Sequence, residues 1–197
     1  IWLIPYLLQS ASKSIEASRM IVELLDFMVN PKKILEAISK ESLELPDIEN
    51  NAEIYFLNLY VALTNYFIYD VQRNLDAPDL RKKKLRDKYI LTLSSIITLG
   101  CLISTRFPKI KKKVRDATKR IMREIEQKFI NLIKNKDIDI KYKESYFMLI
   151  LDASKKLDSM YEEYMGAGGY EDNVKVEFDV IINKLFKLAR KKKIIGR

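Results

Sequence analysis

The sequence contains no histidine and a single cysteine among its 197 residues. Without histidine it lacks the commonest general base, the commonest zinc ligand and the base of every Ser-His or Cys-His pair. Cys101 cannot form an intrachain disulfide, and it lies in the apolar run Leu99-Gly100-Cys101-Leu102-Ile103, where a thiol packs as a small hydrophobe. These absences read as an intracellular, cytoplasmic protein with no catalytic residue, no metal site and no cofactor. There are only five glycines, and three of them fall in Gly166-Ala167-Gly168-Gly169. That stretch lacks the Lys-Ser/Thr of a phosphate loop and a strand before it, so it reads as a hinge over 166–173.

Long apolar runs are also scarce. The longest uncharged stretch, Tyr89 to Thr105, holds Thr92, Ser94, Ser95, Thr98 and Gly100 and sits at the bottom of the membrane-spanning range. A buried core helix is the better reading, and no membrane or small-molecule partner is expected. Glutamine is sparse while lysine, isoleucine and glutamate are abundant, which is the direction thermophilic proteins take.

What the sequence does have is helical periodicity, broken cleanly at its few prolines and glycines. Helices are expected over Tyr6 to Val29, from Pro31 to about Ser42, and over Ala52 to Asn74, with Asn30 capping the second. Tyr55, Tyr60, Tyr66 and Tyr69 with Phe56 and Phe67 give the third an aromatic core, its phenol groups expected to reach outward. A fourth helix should start at Asp79 as its cap and end near Ser104. The clearest pattern follows Pro108: Ile110, Val114, Ala117, Ile121, Ile125, Phe129 and Leu132 recur at steps of three and four up to about Lys136. Two more helices should cover Tyr142 to Met165 and Val176 to Lys193. Val174 to Phe178 alternates apolar and charged residues, which also suits a short strand. The expected fold is an all-α helical bundle of six or seven helices in one domain, 1–197, with at most one short β-hairpin.

Charge is unevenly placed. The net charge is +9, but residues 79–136 alone carry 18 of the 36 basic side chains against 5 acidic ones. Two clusters hold most of them: Arg81, Lys82, Lys83 and Arg86, then Lys109, Lys112, Lys113, Lys119, Arg120 and Arg123. Both occupy the first turns of their helices, where the macrodipole is already positive, so an outside polyanion is the simplest compensation. Those ten side chains are the candidate nucleic-acid contacts, acting through phosphates. Antiparallel packing of the two helices would set the clusters roughly 35 Å apart, as two patches. The alternative account is a solvated lysine-rich face. A third cluster, Arg190 to Lys193 with Arg197, reads as dipole compensation at a helix C-terminus. Asp137 and Asp139 have a metal-site spacing but lack a strand and a third carboxylate. At the chain's start Trp2, Tyr6 and Leu7 belong to residue types that anchor interfaces, and they are the candidate contacts to a protein partner.

The opening Ile4-Pro5-Tyr6, the helix of Val22-Glu23-Leu24-Leu25, and Tyr55-Phe56-Leu57 to Ala62-Leu63 followed by an Arg/Lys-rich helix form an order of features. With Val174 to Phe178 running into an apolar helix, that order resembles the helical N-terminal part of the large subunit of archaeal and eukaryotic DNA primases. The resemblance implies a non-catalytic scaffold that holds a catalytic subunit and helps to contact the template in DNA replication. That family's iron–sulfur cysteines belong to a further domain and are not supplied by Cys101. The functional expectation is a non-catalytic subunit of a nucleic-acid-handling complex. The rival is a protein-interaction or scaffold module that binds no nucleic acid.

Overall fold

A computed structural model of the chain describes residues 52–166 and 173–195, together with Asp26, Asn30, Lys32, Lys33, Leu35 and Glu36. The fold is all-α. Five α-helices make up the described part: α1 (Ala52–Tyr66), α2 (Lys83–Arg106), α3 (Lys111–Lys134), α4 (Ile140–Met165) and α5 (Asn173–Lys191). A π-helical stretch, Phe67–Gln72, prolongs α1, and 3-10 turns at Ala77–Arg81 and Pro108–Ile110 lead into α2 and α3. Asp26, Lys32, Lys33, Leu35 and Glu36 are helical and Asn30 is not, which agrees with a helix break at Asn30-Pro31. Most of the first two expected helices lies outside the described residues.

Side-chain pairings fix the helix directions. Tyr60 meets Thr118 and Gln72 reaches the Glu124 carbonyl, so α1 and α3 run the same way. Phe56 stacks on Phe107 while Phe67 packs on Tyr89, so α2 runs against α1. Arg115 faces Glu177 and Glu126 pairs with Lys184, which aligns α5 with α3. Phe147 against Phe186 and Tyr161 beneath Lys175 turn α4 against α5. Thus α1, α3 and α5 point one way and α2 and α4 the other.

All seven residues of the α3 stripe are buried, from Ile110 to Leu132. They sit at helical spacing on one side, so a single face of α3 meets the core while its charges stay outside. The second half of α2 is buried on every side, from Thr92 to Ser104, and α2 touches each of the other four helices. It is the one described helix long and apolar enough to cross a membrane, and most of its apolar window lies inside the bundle. Two of its hydroxyls bond back to the turn before: Ser94 donates to the Ile90 carbonyl at 2.7 Å and Thr98 to that of Ser94 at 2.9 Å. That satisfies groups that burial would otherwise penalise. Cys101 is buried among them, as its apolar run suggests.

Three expectations are corrected. The phenols of the first described helix do not reach outward: Tyr55, Tyr60 and Tyr66 are buried, and only Tyr69 is exposed. Tyr60 donates to Thr118 Oγ1 at 2.7 Å, and that hydroxyl in turn donates to the Val114 carbonyl, so a polar chain crosses the α1–α3 contact. Asp76 rather than Asp79 caps the turn before α2; Asp79 accepts from the Asp76 backbone N–H at 3.4 Å and pairs with Lys82 at 3.0 Å. Lys82 is extended, so α2 starts one residue later. Lastly, Val174 to Phe178 is helical, not a strand. Val174, Phe178, Leu185 and Ala189 are buried at steps of four and seven, and the helical period outweighs the local alternation.

The π-helical exit of α1 turns Gln72 into the core. Its amide donates to the Tyr146 hydroxyl at 2.6 Å and its carbonyl oxygen accepts from the Tyr89 hydroxyl at 2.7 Å. Lys128 closes this exit, its ammonium donating to the backbone carbonyls of Gln72 and Leu75, each at 2.6 Å. A helix end leaves carbonyls without internal partners, and here a cation supplies them. Burial pushes the Lys128 ammonium below its ordinary range.

Burial also pushes the phenols of Tyr89 and Tyr146 well above the ordinary range. It moves Tyr142 and Tyr164 up to about 12, with Glu163 and Glu36 adding to the shift at Tyr164. In the unfolded chain these phenols ionise near pH 10 while in the folded chain they keep their protons. The folded state therefore binds more protons, and stability falls as pH rises above about 10. Lys128 acts in the opposite sense below its ordinary 10.5, one group against four. The urea midpoint is expected to drop between about pH 9.5 and about pH 11.5, with phenolate absorbance from these tyrosines rising only with unfolding. A midpoint that stays level would refute it.

Candidate nucleic-acid interface

The helix directions settle where the two basic clusters lie. Arg81, Lys82, Lys83 and Arg86 stand where α2 begins, beside the ends of α1, α3 and α5. Lys109, Lys112 and Lys113 stand where α3 begins, at the opposite end. They are two patches.

Within the first patch, two of the four charges are answered by the protein itself. Lys82 pairs with Asp79, and Arg86 reaches Asp152 at 3.8 Å. Arg81 lines a cavity of about 410 Å³ together with Asp137 and Asp139. Asp139 has a structural task there, capping α4 by accepting from the Lys141 backbone N–H at 2.8 Å. Among the described residues no group of three or more carboxylates and thiols is placed to hold a metal ion. Lys83 is exposed and no ion pair involves it among the described residues.

The second patch divides by helix face. Lys119 turns toward α5, where it pairs with Glu177 at 3.1 Å, and Arg115 stands at 3.9 Å from the same carboxylate. Lys119 is therefore spent inside the α3–α5 contact. Lys109, Lys112, Lys113, Arg120 and Arg123 lie on the outward side, with Asp116 the one acid among them. Lys109 approaches Glu53 only at 3.8 Å and keeps most of its side chain in water. Arg120 donates to the neutral Asn65 side chain at 3.0 Å, which orients the guanidinium and leaves its charge uncompensated. Lys112, Lys113 and Arg123 are exposed, and no ion pair among the described residues involves them. From Lys109 to Arg123 this row spans about 21 Å at the helical rise. The first turn of α3 has no acidic residue, so its positive dipole end adds to the row.

Trp2, Tyr6 and Leu7 lie outside the described residues, as do 167–172 of the expected hinge. Gly166, which ends α4, has a positive φ of 72° that a residue with a Cβ rarely adopts.

One feature escaped the sequence. The last turns of α3 and α5 and the start of α4 enclose a groove of about 830 Å³. Lysines from three separate stretches of chain meet around it, and only the parallel course of α3 and α5 brings them together. Comparison with known protein families, with curated proteins and with solved structures gives no match.

Proposed function

We propose that the chain is a non-catalytic, intracellular helical subunit of a nucleic-acid-handling complex, in keeping with the primase large-subunit resemblance. It holds a phosphate backbone along the outward face of α3. The observation that carries this reading is the row of Lys109, Lys112, Lys113, Arg120 and Arg123, exposed and nearly free of acidic partners. A row of about 21 Å matches about six phosphates of one strand at 3.4 Å each along the duplex axis. No base-reading element accompanies it, so binding is through phosphates and tolerant of sequence. Lys119 leaves the set of contacts, and the Arg81 patch is secondary because Lys82 and Arg86 within it have acids beside them. The five described helices and the helical residues between 26 and 36 fit a bundle of six or seven.

The test is fluorescence anisotropy with labelled single-stranded DNA, duplex DNA and RNA across a salt series. The triple variant Lys112→Glu, Lys113→Glu, Arg123→Glu should keep its helical circular dichroism and lose about tenfold or more in affinity. Its slope of log K against log salt should shrink by about two to three. Equal slopes for variant and parent, or no binding at low salt, would remove the proposal. A second reading, a protein-interaction module, is favoured by Val176 and Val180, which are 49% and 61% exposed on α5.

A further inference from the structure

The groove at the far end of the bundle has an apolar floor and a cationic rim. Ile130 and Ile133 of α3, Leu185 and Leu188 of α5, Ile140 and Ile194 form the floor. Ile140, the first residue of α4, is 53% exposed there. Lys134, Lys136 and Lys143 stand on one side, and Lys184, Lys187, Lys191 and Lys192 on the other. The single acid at the groove, Glu126, is already paired with Lys184. Lys143 donates to the Asn135 carbonyl at 2.7 Å. No ion pair among the described residues involves Lys134, Lys136, Lys187, Lys191 or Lys192.

Dipole compensation accounts for Lys134 and Lys191, which lie in the last turns of α3 and α5. It does not account for Lys143, in the first turn of α4 where a cation is disfavoured, nor for Lys187, further back on α5, whereas Lys184 has Glu126. Something that brings negative charge to both rims and an apolar face to the floor would satisfy all of them. We infer that this groove docks an acidic amphipathic helix of a partner protein. The two walls are parallel helices, and a third helix laid between them would place apolar residues at i, i+3, i+4 and i+7 on the floor and carboxylates on both flanks. The lysines on the α5 side extend over two turns, from Lys184 to Lys192, and face Lys134, Lys136 and Lys143 at the end of α3 and the start of α4. That distribution suits a flanked helix better than the single head group of a lipid. Such a partner would leave the outward face of α3 free, so the inference is independent of nucleic-acid binding there.

The test is selection of binders from a displayed library of random helical peptides against the whole chain, followed by anisotropy with the enriched peptides after labelling. Enriched sequences should carry Leu, Ile or Met at i, i+3, i+4 and i+7 with Asp or Glu beside them. Binding should fall at least tenfold in two variants that leave the buried core untouched, Lys134→Glu/Lys187→Glu/Lys191→Glu and Ile140→Asp. Scrambled peptides of the same composition should bind at least tenfold more weakly. Enrichment without that pattern, no enrichment, or equal binding of scrambled peptides would overturn the inference. Displacement of the peptides from the parent chain by anionic phosphatidylglycerol vesicles, with vesicle binding lost in the same variants, would also overturn it in favour of a lipid surface. Salt-sensitive binding of single-stranded DNA that is lost in the Lys134 variant but kept in the Lys112 variant would assign the rim to nucleic acid instead.

Discussion

Replacing Gln72 by leucine should destabilise the protein by about 3 kcal/mol, because two fully buried phenols each lose a hydrogen bond at once. In a domain of this size that is a fall of about 6–12 °C in melting temperature. Tyr89 donates to the Gln72 carbonyl oxygen and Tyr146 accepts from the Gln72 amide, and neither ring is accessible to water. Water therefore cannot replace the lost groups without opening the α1–α2–α4 contact. A control separates hydrogen bonding from shape. The triple variant Gln72→Leu, Tyr89→Phe, Tyr146→Phe removes the whole network, and removing all partners together costs far less than leaving two of them short of a bond. It should recover more than half of the lost stability in urea denaturation. A single-variant loss under about 1 kcal/mol, or a triple variant no more stable than the single one, would refute the account.

The second large effect belongs to a missing side chain. A methyl group on Gly100 would lie 2.5 Å from the Tyr60 hydroxyl oxygen and 2.8 Å from Cζ, closer than carbon atoms pack. Tyr60 cannot swing away: its ring is fully buried and its hydroxyl is held on Thr118. Alanine is otherwise the better helix former by about 1 kcal/mol, and that gain works against the clash. Gly100→Ala should still destabilise by about 2 kcal/mol net, since overpacking in a closed core exceeds the propensity gain. Removing the hydroxyl alone would not relieve it, because Cζ is also too near. Tyr60→Leu frees the space, so Gly100→Ala in that background should be neutral or stabilising. The coupling between the two sites should exceed about 1 kcal/mol in a double-mutant cycle. Additive losses would mean that the helices shift apart and that Gly100 does not set their approach.

How much of this was visible in the sequence depends on whether the signal is local. The α3 stripe was legible to the residue, because a helix with one wet face must repeat its apolar positions at its own period. The burial of Cys101 followed from its neighbours, and the antiparallel course of α2 and α3 from the short turn between them. The π-helical exit was not legible. Nothing in Phe67-Ile68-Tyr69-Asp70-Val71-Gln72 marks a wider turn, and its cause is tertiary, the bonds of Gln72 to Tyr89 and Tyr146. The outward phenols were misjudged for the same reason. A tyrosine pattern does not say whether a partner such as Thr118 waits inside the core. For the candidate site, the cluster on α3 could be found by counting charge. Its division could not, since Lys119 differs from Arg120 only by the 100° step that turns one toward Glu177 and the other toward Asn65. The lysine-rimmed groove was further out of reach, because its parts lie about 50 residues apart and each looks like an ordinary helix end.

The wider turn at Phe67–Gln72 also bears on how this chain can vary. A turn closed over five residues instead of four holds one residue more than the α-helix it prolongs. Deleting one residue between 67 and 71 would return the segment to an ordinary helix and leave position 72 facing the core, because the wider turn spends one residue more on the same rotation. An ordinary helix of unchanged length would instead turn Gln72 by about 100°, away from Tyr89, Tyr146 and Lys128, which are all oriented on that turn. Length at this one place can thereby change without disturbing polarity at the three others. Relatives of this chain should therefore differ by one residue between 67 and 71 while keeping all four polar side chains.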